Sequence, residues 1–247
     1  MATSRTRIRV GTAGWSIPRD HAAAFGEGAS TLARYATRLD AVEINTSFYR
    51  PHQAATYARW AAAVPAGFRF SVKLPQTISH ELALRAAGPA LDRFLDEVAG
   101  LGRKLGGLLL QLPPSLAFDA RTASTFFRLL RRRTSVPLTC EPRHASWFTP
   151  AAEALLLRHE VGRAAADPAR WPAAAQPGAA PAWPYFRWHG SPRMYYSGYD
   201  EEALQALAAE VRAWARGRQS PWVIFDNTAH GFAARDALRL RELLELA

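Results

Sequence analysis

Glu43, Lys73, Glu141 and Arg187 are the residues of this 247-residue chain whose types and settings point most directly to chemistry. Each interrupts a short apolar run: "AVEINTSF" from 41, "FRFSVKL" from 68, "PLTCEPR" from 137 and "YFRWHG" from 185. In "AVEI" the two-residue alternation of a strand sends Val42 and Ile44 to one side and Glu43 and Asn45 to the other. A lone charge on the inner face of a folded protein is costly unless an opposite charge accompanies it. Carboxylates and cations gathered in one cavity would neutralise one another, and could also hold an anionic or polyhydroxylated ligand and move protons.

Glu43 and Glu141 are therefore the candidate acid and base, with Lys73 and Asp167 as further catalytic candidates. Lys73, Arg143 and Arg187 would hold negative charge, while Trp15, Tyr49 and Trp147 would give flat walls for a ring. Asn45, Gln111, His189 and Asn227 stand near strand ends and complete the polar set, with His80 and His144 on the loops that follow strands. Gln111 and Asn227 could equally satisfy backbone groups, and the two loop histidines could be caps or surface residues. The bland alternative for the whole set is a structural ion-pair network.

Other chemistries are weighed by the same residues. Glu43, Glu141, Asp167 and His189 form the oxygen-rich, one-histidine kit that a divalent metal would accept, although Lys73 and Arg187 would compete for its carboxylates. A buried lysine beside a carboxylate can lose its proton and form a Schiff base with a carbonyl substrate. There is no GxSxG nucleophile elbow. Paired carboxylates would suit glycoside cleavage only at the right separation.

These side chains need elements to position them. Eight strand-like runs recur along the chain: the four already quoted, together with "IRVGTAGW" from 8, "GGLLLQL" from 106, "VGRAAAD" from 161 and "WVIFDNT" from 222. Between and after them, segments such as 30–39, 54–64, 89–105, 120–133, 149–160, 200–217 and 234–247 carry apolar residues at helical spacing. Ser30, Thr149 before Pro150, and Asp200 before two glutamates are helix-start signals. Alternating strands and helices imply parallel pairing, and eight units predict a (β/α)8 TIM barrel forming one domain over 1–247. The sixth unit is irregular, because the five prolines of "PARWPAAAQPGAAPAWP" forbid a long helix and predict a loop with at most a short helical turn. In such a barrel, chemistry collects at the carboxyl ends of the strands, where most of the residues named above would meet.

The net charge is +10, with only Lys73 and Lys104 as lysines, so 29 of the 31 basic residues are arginines. This excess keeps a nucleic-acid partner, or metal-dependent phosphodiester cleavage, as the alternative to a small anionic or sugar-like ligand. The densest cluster, "RLLRRRTS" at 128–135, ends an amphipathic segment, where positive charge suits the helix dipole. "FFRLLRRR" is also the one stretch that invites a scaffold role. No apolar run is long enough to span a membrane, and "MATSRTRIRV" lacks the apolar stretch of a signal peptide, so a cytoplasmic protein is expected. A single cysteine, Cys140, rules out an intrachain disulfide.

Several of these stretches also occur in order in a known family. "VGTAGW" at 10, "VEINTSFYR" at 42, "FSVKLPQTISHE" at 70, "LLLQLPPS" at 108, "CEPRHASW" at 140, "YFRWHG" at 185 and "VIFDNTAHGFAARDAL" at 223 resemble the successive signatures of the YecE-like family, domain of unknown function 72. The resemblance spans almost the whole chain and implies a TIM barrel. It supplies no reaction. Its motifs carry the same residue types at Gly11, Trp15, Glu43, Asn45, Phe48, Tyr49, Lys73, His80 and Gln111. They do so again at Glu141, Arg143, His144, Trp147, Asp167, Arg187, His189, Gly190, Asn227 and Thr228. Where "FDNT" stands, the family pattern leads one to expect two asparagines, which puts any role for the residue at 226 in doubt.

Overall fold

The computed structural model describes residues 7–180, 183–217 and 219–245. The sequence readings of residues 1–6, of Pro181 and Ala182 in the proline-rich stretch, and of the last two residues of the closing helix lie outside these. Ten strands form one sheet: β1 (Arg9–Ala13), β2 (Ala41–Ile44), β3 (Arg69–Lys73), β4 (Leu105–Gln111), β5 (Leu138–Glu141), β6 (Val161–Arg163), β7 (Ala165–Asp167), β8 (Gly178–Ala179), β9 (Tyr185–Trp188) and β10 (Trp222–Phe225). All pairings are parallel except that of β8 with β6.

The expected eight strands become ten because of the sixth unit. Its run "VGRAAAD" is divided at Ala164 into β6, which pairs with β5, and β7, which pairs with β9. Ala164 still donates its N–H to the Cys140 carbonyl at 2.9 Å, so the chain itself carries the barrel round between the two halves. The proline-rich stretch after Asp167 holds one short helical turn, Pro172–Ala175, as expected, and also contributes the added strand β8.

Helices α1 (Thr31–Tyr35), α2 (Thr46–Tyr49), α3 (Ala54–Ala62), α4 (Gly88–Val98), α5 (Ala120–Arg131), α6 (Pro150–Arg158), α7 (Glu201–Arg216) and α8 (Phe232–Glu245) accompany the strands. The predicted starts are used: Ser30, Thr149 and Asp200 each accept a hydrogen bond from the backbone N–H three residues on, which satisfies a donor that the first helical turn leaves free. At the end of α5 the arginine cluster is tied in. Arg131 donates to the carbonyls of Val136, His159 and Glu160, and Arg133 pairs with Asp92. Phe126, Phe127 and Leu130 are buried, so "FFRLLRRR" turns its apolar face inwards.

Strand alternation divides the apolar side chains into two layers. Val10, Val42, Phe70, Val72, Leu108, Leu110, Phe186 and Phe225 belong to the large core between barrel and helices. A smaller inner cluster, Ala41, Ala164, Trp183, Tyr185, Trp222 and Ile224, fills the barrel. The Trp183 ring stands 5.5 Å from that of Trp222 and 4.8 Å from that of Tyr185. Gly107 makes room for this stack, since a Cβ there would lie 2.1 Å from the Trp183 ring. Large rings thus occupy the lower barrel and leave its upper end to the polar side chains.

Candidate functional site

Arg187, at the third position of β9, points into the barrel and is wholly buried. Its Nη2 donates to Glu43 Oε1 at 2.7 Å and its Nε to Glu43 Oε2 at 3.0 Å. Nη1 donates to Glu141 Oε2 at 2.5 Å, and Nη2 reaches Asp226 Oδ2 at 3.0 Å. One planar guanidinium therefore holds three carboxylates drawn from β2, β5 and the end of β10, a geometry that an ammonium group could not reproduce.

The carboxylates have further partners. Tyr185 donates its hydroxyl to Glu43 Oε2 at 2.8 Å and shares a second hydrogen bond with Ser71 at 2.6 Å. Arg143 donates Nε to Glu141 Oε1 at 2.9 Å. His189 lies between Asp226, 3.1 Å from its Nδ1, and Glu141, 3.6 Å from its Nε2. Burial alone would raise the Glu141 carboxyl, yet the charges of Arg187, His189 and Arg143 hold it well below the usual range. Asp226 is likewise lowered, against its burial, chiefly by Arg187 and His189. Burial lowers the His189 imidazole, but Glu141 and Asp226 outweigh it and the balance is a raised pKa.

Lys73 closes β3 on the same inner face, 7% exposed. Among the described residues its Nζ makes no ion pair within 4.0 Å and no hydrogen bond, because Arg187 already occupies the carboxylates. The Nζ instead sits 4.0 Å from the centre of the Phe48 ring. Burial, followed by the repulsion of Arg187, brings the amine from its usual 10.5 down to about 8. His80 meets the same Phe48 ring in a T-shaped contact, with ring centres 5.0 Å apart. Its Nδ1 is 2.8 Å from the Ser79 hydroxyl, and burial with the nearby charge of Lys73 lowers its pKa.

Glu43, Lys73, Glu141, Arg143, Arg187, His189 and His80 thus meet in one mouth. Asn45 joins them through a long contact of 3.5 Å to Asp226. Gln111 is there too, 6% exposed, but donates to the Leu112 carbonyl at 3.2 Å. Trp15, after β1, makes a T-shaped contact with Trp60 of α3, with ring centres 5.1 Å apart. Tyr49, on α2, is 71% exposed beside Phe48.

Four expected site residues lie elsewhere. Asp167 pairs in register with Trp188, not Arg187, so it faces the helices, where it accepts the Tyr199 hydroxyl at 2.8 Å. Trp147 is 1% exposed, donates its indole N–H to the Leu116 carbonyl at 2.9 Å and packs on Phe118, which removes it as a wall for a ligand. His144 caps the turn Ala145–Phe148, accepting from the Ser146 N–H at 3.2 Å. Asn227 is buried and donates to the Ser197 carbonyl and to Asp236, a structural bridge between loop and α8.

The outward turn of Asp167 bears on the metal kit. With Asp167 turned outwards and both Glu43 oxygens taken by Arg187, no group of three His, Cys, Asp or Glu side chains among the described residues is arranged to hold a metal ion. Cys140 is free and buried.

Sequence reasoning missed Asp226, Tyr185 and Phe48 as members of the site. Counting two residues on from inward-facing Ile224 would have found Asp226. A tyrosine in an inward strand position beside a carboxylate would have marked Tyr185.

Comparisons with known proteins agree with this architecture. The YecE protein of Escherichia coli strain K12 is 31% identical over 150 residues, which cover 59% of this chain and 52% of YecE. YunF of Bacillus subtilis strain 168 is 26% identical over 154 residues, covering 58% and 53%. The matched stretch thus spans about half the length of these curated relatives. A DUF72 family protein from Thermotoga maritima MSB8 has a crystal structure similar at a TM-score of 0.79, with 25% identity over 97% of this chain and 99% of that one. A second, from Enterococcus faecalis V583, gives 0.79 and 24% over 98% and 99%, a likeness of fold. The sequence profile for "Protein of unknown function DUF72" matches residues 9–247, and the chain, a TIM-like barrel, belongs to that family.

Proposed function

We propose that the protein is an enzyme that binds a small anionic or sugar-like molecule in the mouth at the carboxyl ends of the strands and moves protons on it. The observation that carries this reading is the Lys73 amine, buried within reach of three carboxylates yet bonded to none of them. A network serving stability alone would pair such an amine with a carboxylate, whereas here the carboxylates are turned to Arg187 and the amine faces the Phe48 ring. The expected pairing of Glu43 and Glu141 as acid and base passes to other residues. Both carboxylates are bound by Arg187, and Glu141 is held ionised, so their part is to orient Arg187 and His189. Lys73 is suited to act as base, and His189, whose pKa Glu141 and Asp226 raise against its burial, as acid.

Arg143, Arg170, Trp171 and Met194 border a cleft beside Glu141 and His189, where an anionic group would find positive charge and a flat wall. Screening phosphorylated and carboxylated sugars by thermal shift tests the reading. Wild type should be stabilised by members of this class, and Arg143→Ala and Lys73→Met should abolish the shift while remaining folded. Unchanged shifts in both variants would overturn it. A nucleic-acid partner would instead lose affinity steeply with salt. No helix of the described residues is long and apolar enough to cross a membrane. The cytoplasm is the expected compartment, which cell fractionation would check.

A further inference from the structure

We propose that Lys73 is an amine nucleophile that condenses with the carbonyl group of a small anionic aldehyde or ketone, and that His80 relays its protons. This rests on reading the mouth as an enzyme site and names its substrate class. The amine is placed where a carbonyl could be attacked. Glu43, Glu141 and Asp226 are held by Arg187, and among the described residues the Lys73 Nζ is tied to none of them. The Phe48 ring, 4.0 Å away, shields one side of that nitrogen from water. The His80 ring stands on the same phenyl group at 5.0 Å.

The setting also favours reactivity. An amine at about 8 is neutral in roughly a tenth of molecules at pH 7, against well under a thousandth for an ordinary lysine. His80 is lowered from 6.5, so its neutral imidazole is available to take a proton. Lys104, the other lysine, is a built-in contrast: its Nζ donates to the Ala61 and Val64 carbonyls at 2.6 and 2.5 Å.

The step balances without an external oxidant or reductant. The Lys73 nitrogen attacks the carbonyl carbon, forming a C–N bond while the C=O π electrons move to oxygen. His80 takes the surplus proton from nitrogen and returns it to oxygen, giving a carbinolamine. A second proton on that hydroxyl lets water leave as the nitrogen lone pair forms C=N. Amine, carbonyl and one proton thus become a protonated imine and water. The iminium charge forms facing the carboxylates of Glu43, Glu141 and Asp226, whose attraction partly offsets the repulsion of Arg187.

Borohydride trapping tests this on the full chain, with glyoxylate and pyridoxal 5′-phosphate as anionic aldehyde probes and peptide mapping by mass spectrometry. The expected result is a reduced adduct on Lys73 that forms at least tenfold faster than on Lys104, with a rate that rises through a midpoint near pH 8. Lys73→Arg should lose the adduct while keeping the positive charge. His80→Gln should slow adduct formation at least tenfold without moving the midpoint. Equal labelling of the two lysines, or none at Lys73 with either probe, overturns the proposal. If trapping fails while Arg143→Ala still abolishes ligand-induced thermal shifts, only the imine is lost. If those shifts also survive in Arg143→Ala, the reading of the mouth falls with it.

Discussion

Arg187 grips Glu43 by two parallel hydrogen bonds, of 2.7 and 3.0 Å, and neither side chain is exposed to solvent. Two further carboxylates share the same guanidinium. Removing it would leave three buried carboxylates facing one another. Arg187→Met should destabilise the fold by about 3–5 kcal/mol, as for other buried pairs broken from one side. Urea denaturation would measure it, and a loss below about 1 kcal/mol would mean that the network is not desolvated as the geometry states.

The Lys73 amine gives a stability signature of definite sign. Its folded pKa, about 8, lies below the usual 10.5, so between these values the unfolded chain binds more protons than the folded one. Stability must therefore rise with pH across that window. Between pH 8 and 10, wild type should gain roughly 2 kcal/mol relative to Lys73→Met. Parallel pH profiles for the two proteins would argue against the depressed amine.

Glu141 carries a dependence of the same sign in the acid range. Held well below 4.5 when folded, it contributes stability above that value and loses it as pH falls through its lower folded pKa. Acid denaturation of Glu141→Gln should accordingly be shallower than that of wild type below about pH 4.5, although the variant starts less stable. Fluorescence-monitored acid titration would compare the slopes.

Tyr185 ties Glu43 to Ser71 beneath the guanidinium. Tyr185→Phe leaves a buried carboxylate oxygen with one bond fewer. The cost expected is about 1.5–3 kcal/mol, typical of a hydrogen bond to a charged group. Differential scanning calorimetry would read it as a lowered Tm.

Two tryptophans that look alike in the sequence should behave differently. Trp147 is in the core, so Trp147→Ala should cost about 3–5 kcal/mol. Trp171, 40% exposed beside the cleft, should change stability by less than about 0.5 kcal/mol when replaced by alanine. Under the proposed function, Trp171→Ala should instead weaken ligand-induced thermal shifts.

The barrel and the convergence of Glu43, Lys73, Glu141 and Arg187 were legible because strand side chains alternate with a period of two, and each of these lies inside a strand. Beyond the strand ends that period lapses. His144 and Trp147 lie on a loop and its helical turn, where no repeat decides whether a ring faces mouth or core. Asp167 was misplaced for a related reason: the division of its strand at Ala164 reset which side chains face inwards. Asp226 was visible in the alternation but was discounted, because a family pattern leading one to expect asparagine there outweighed its position two residues beyond Ile224. The carboxylate is what lets position 226 pair with Arg187 and His189.

The stack of Trp183, Tyr185 and Trp222 has a consequence for traffic. Among the described residues, these rings fill the lower barrel beneath the polar side chains. Under the proposed function, reactant and product would share the doorway at the upper rim, each waiting for the other to clear it.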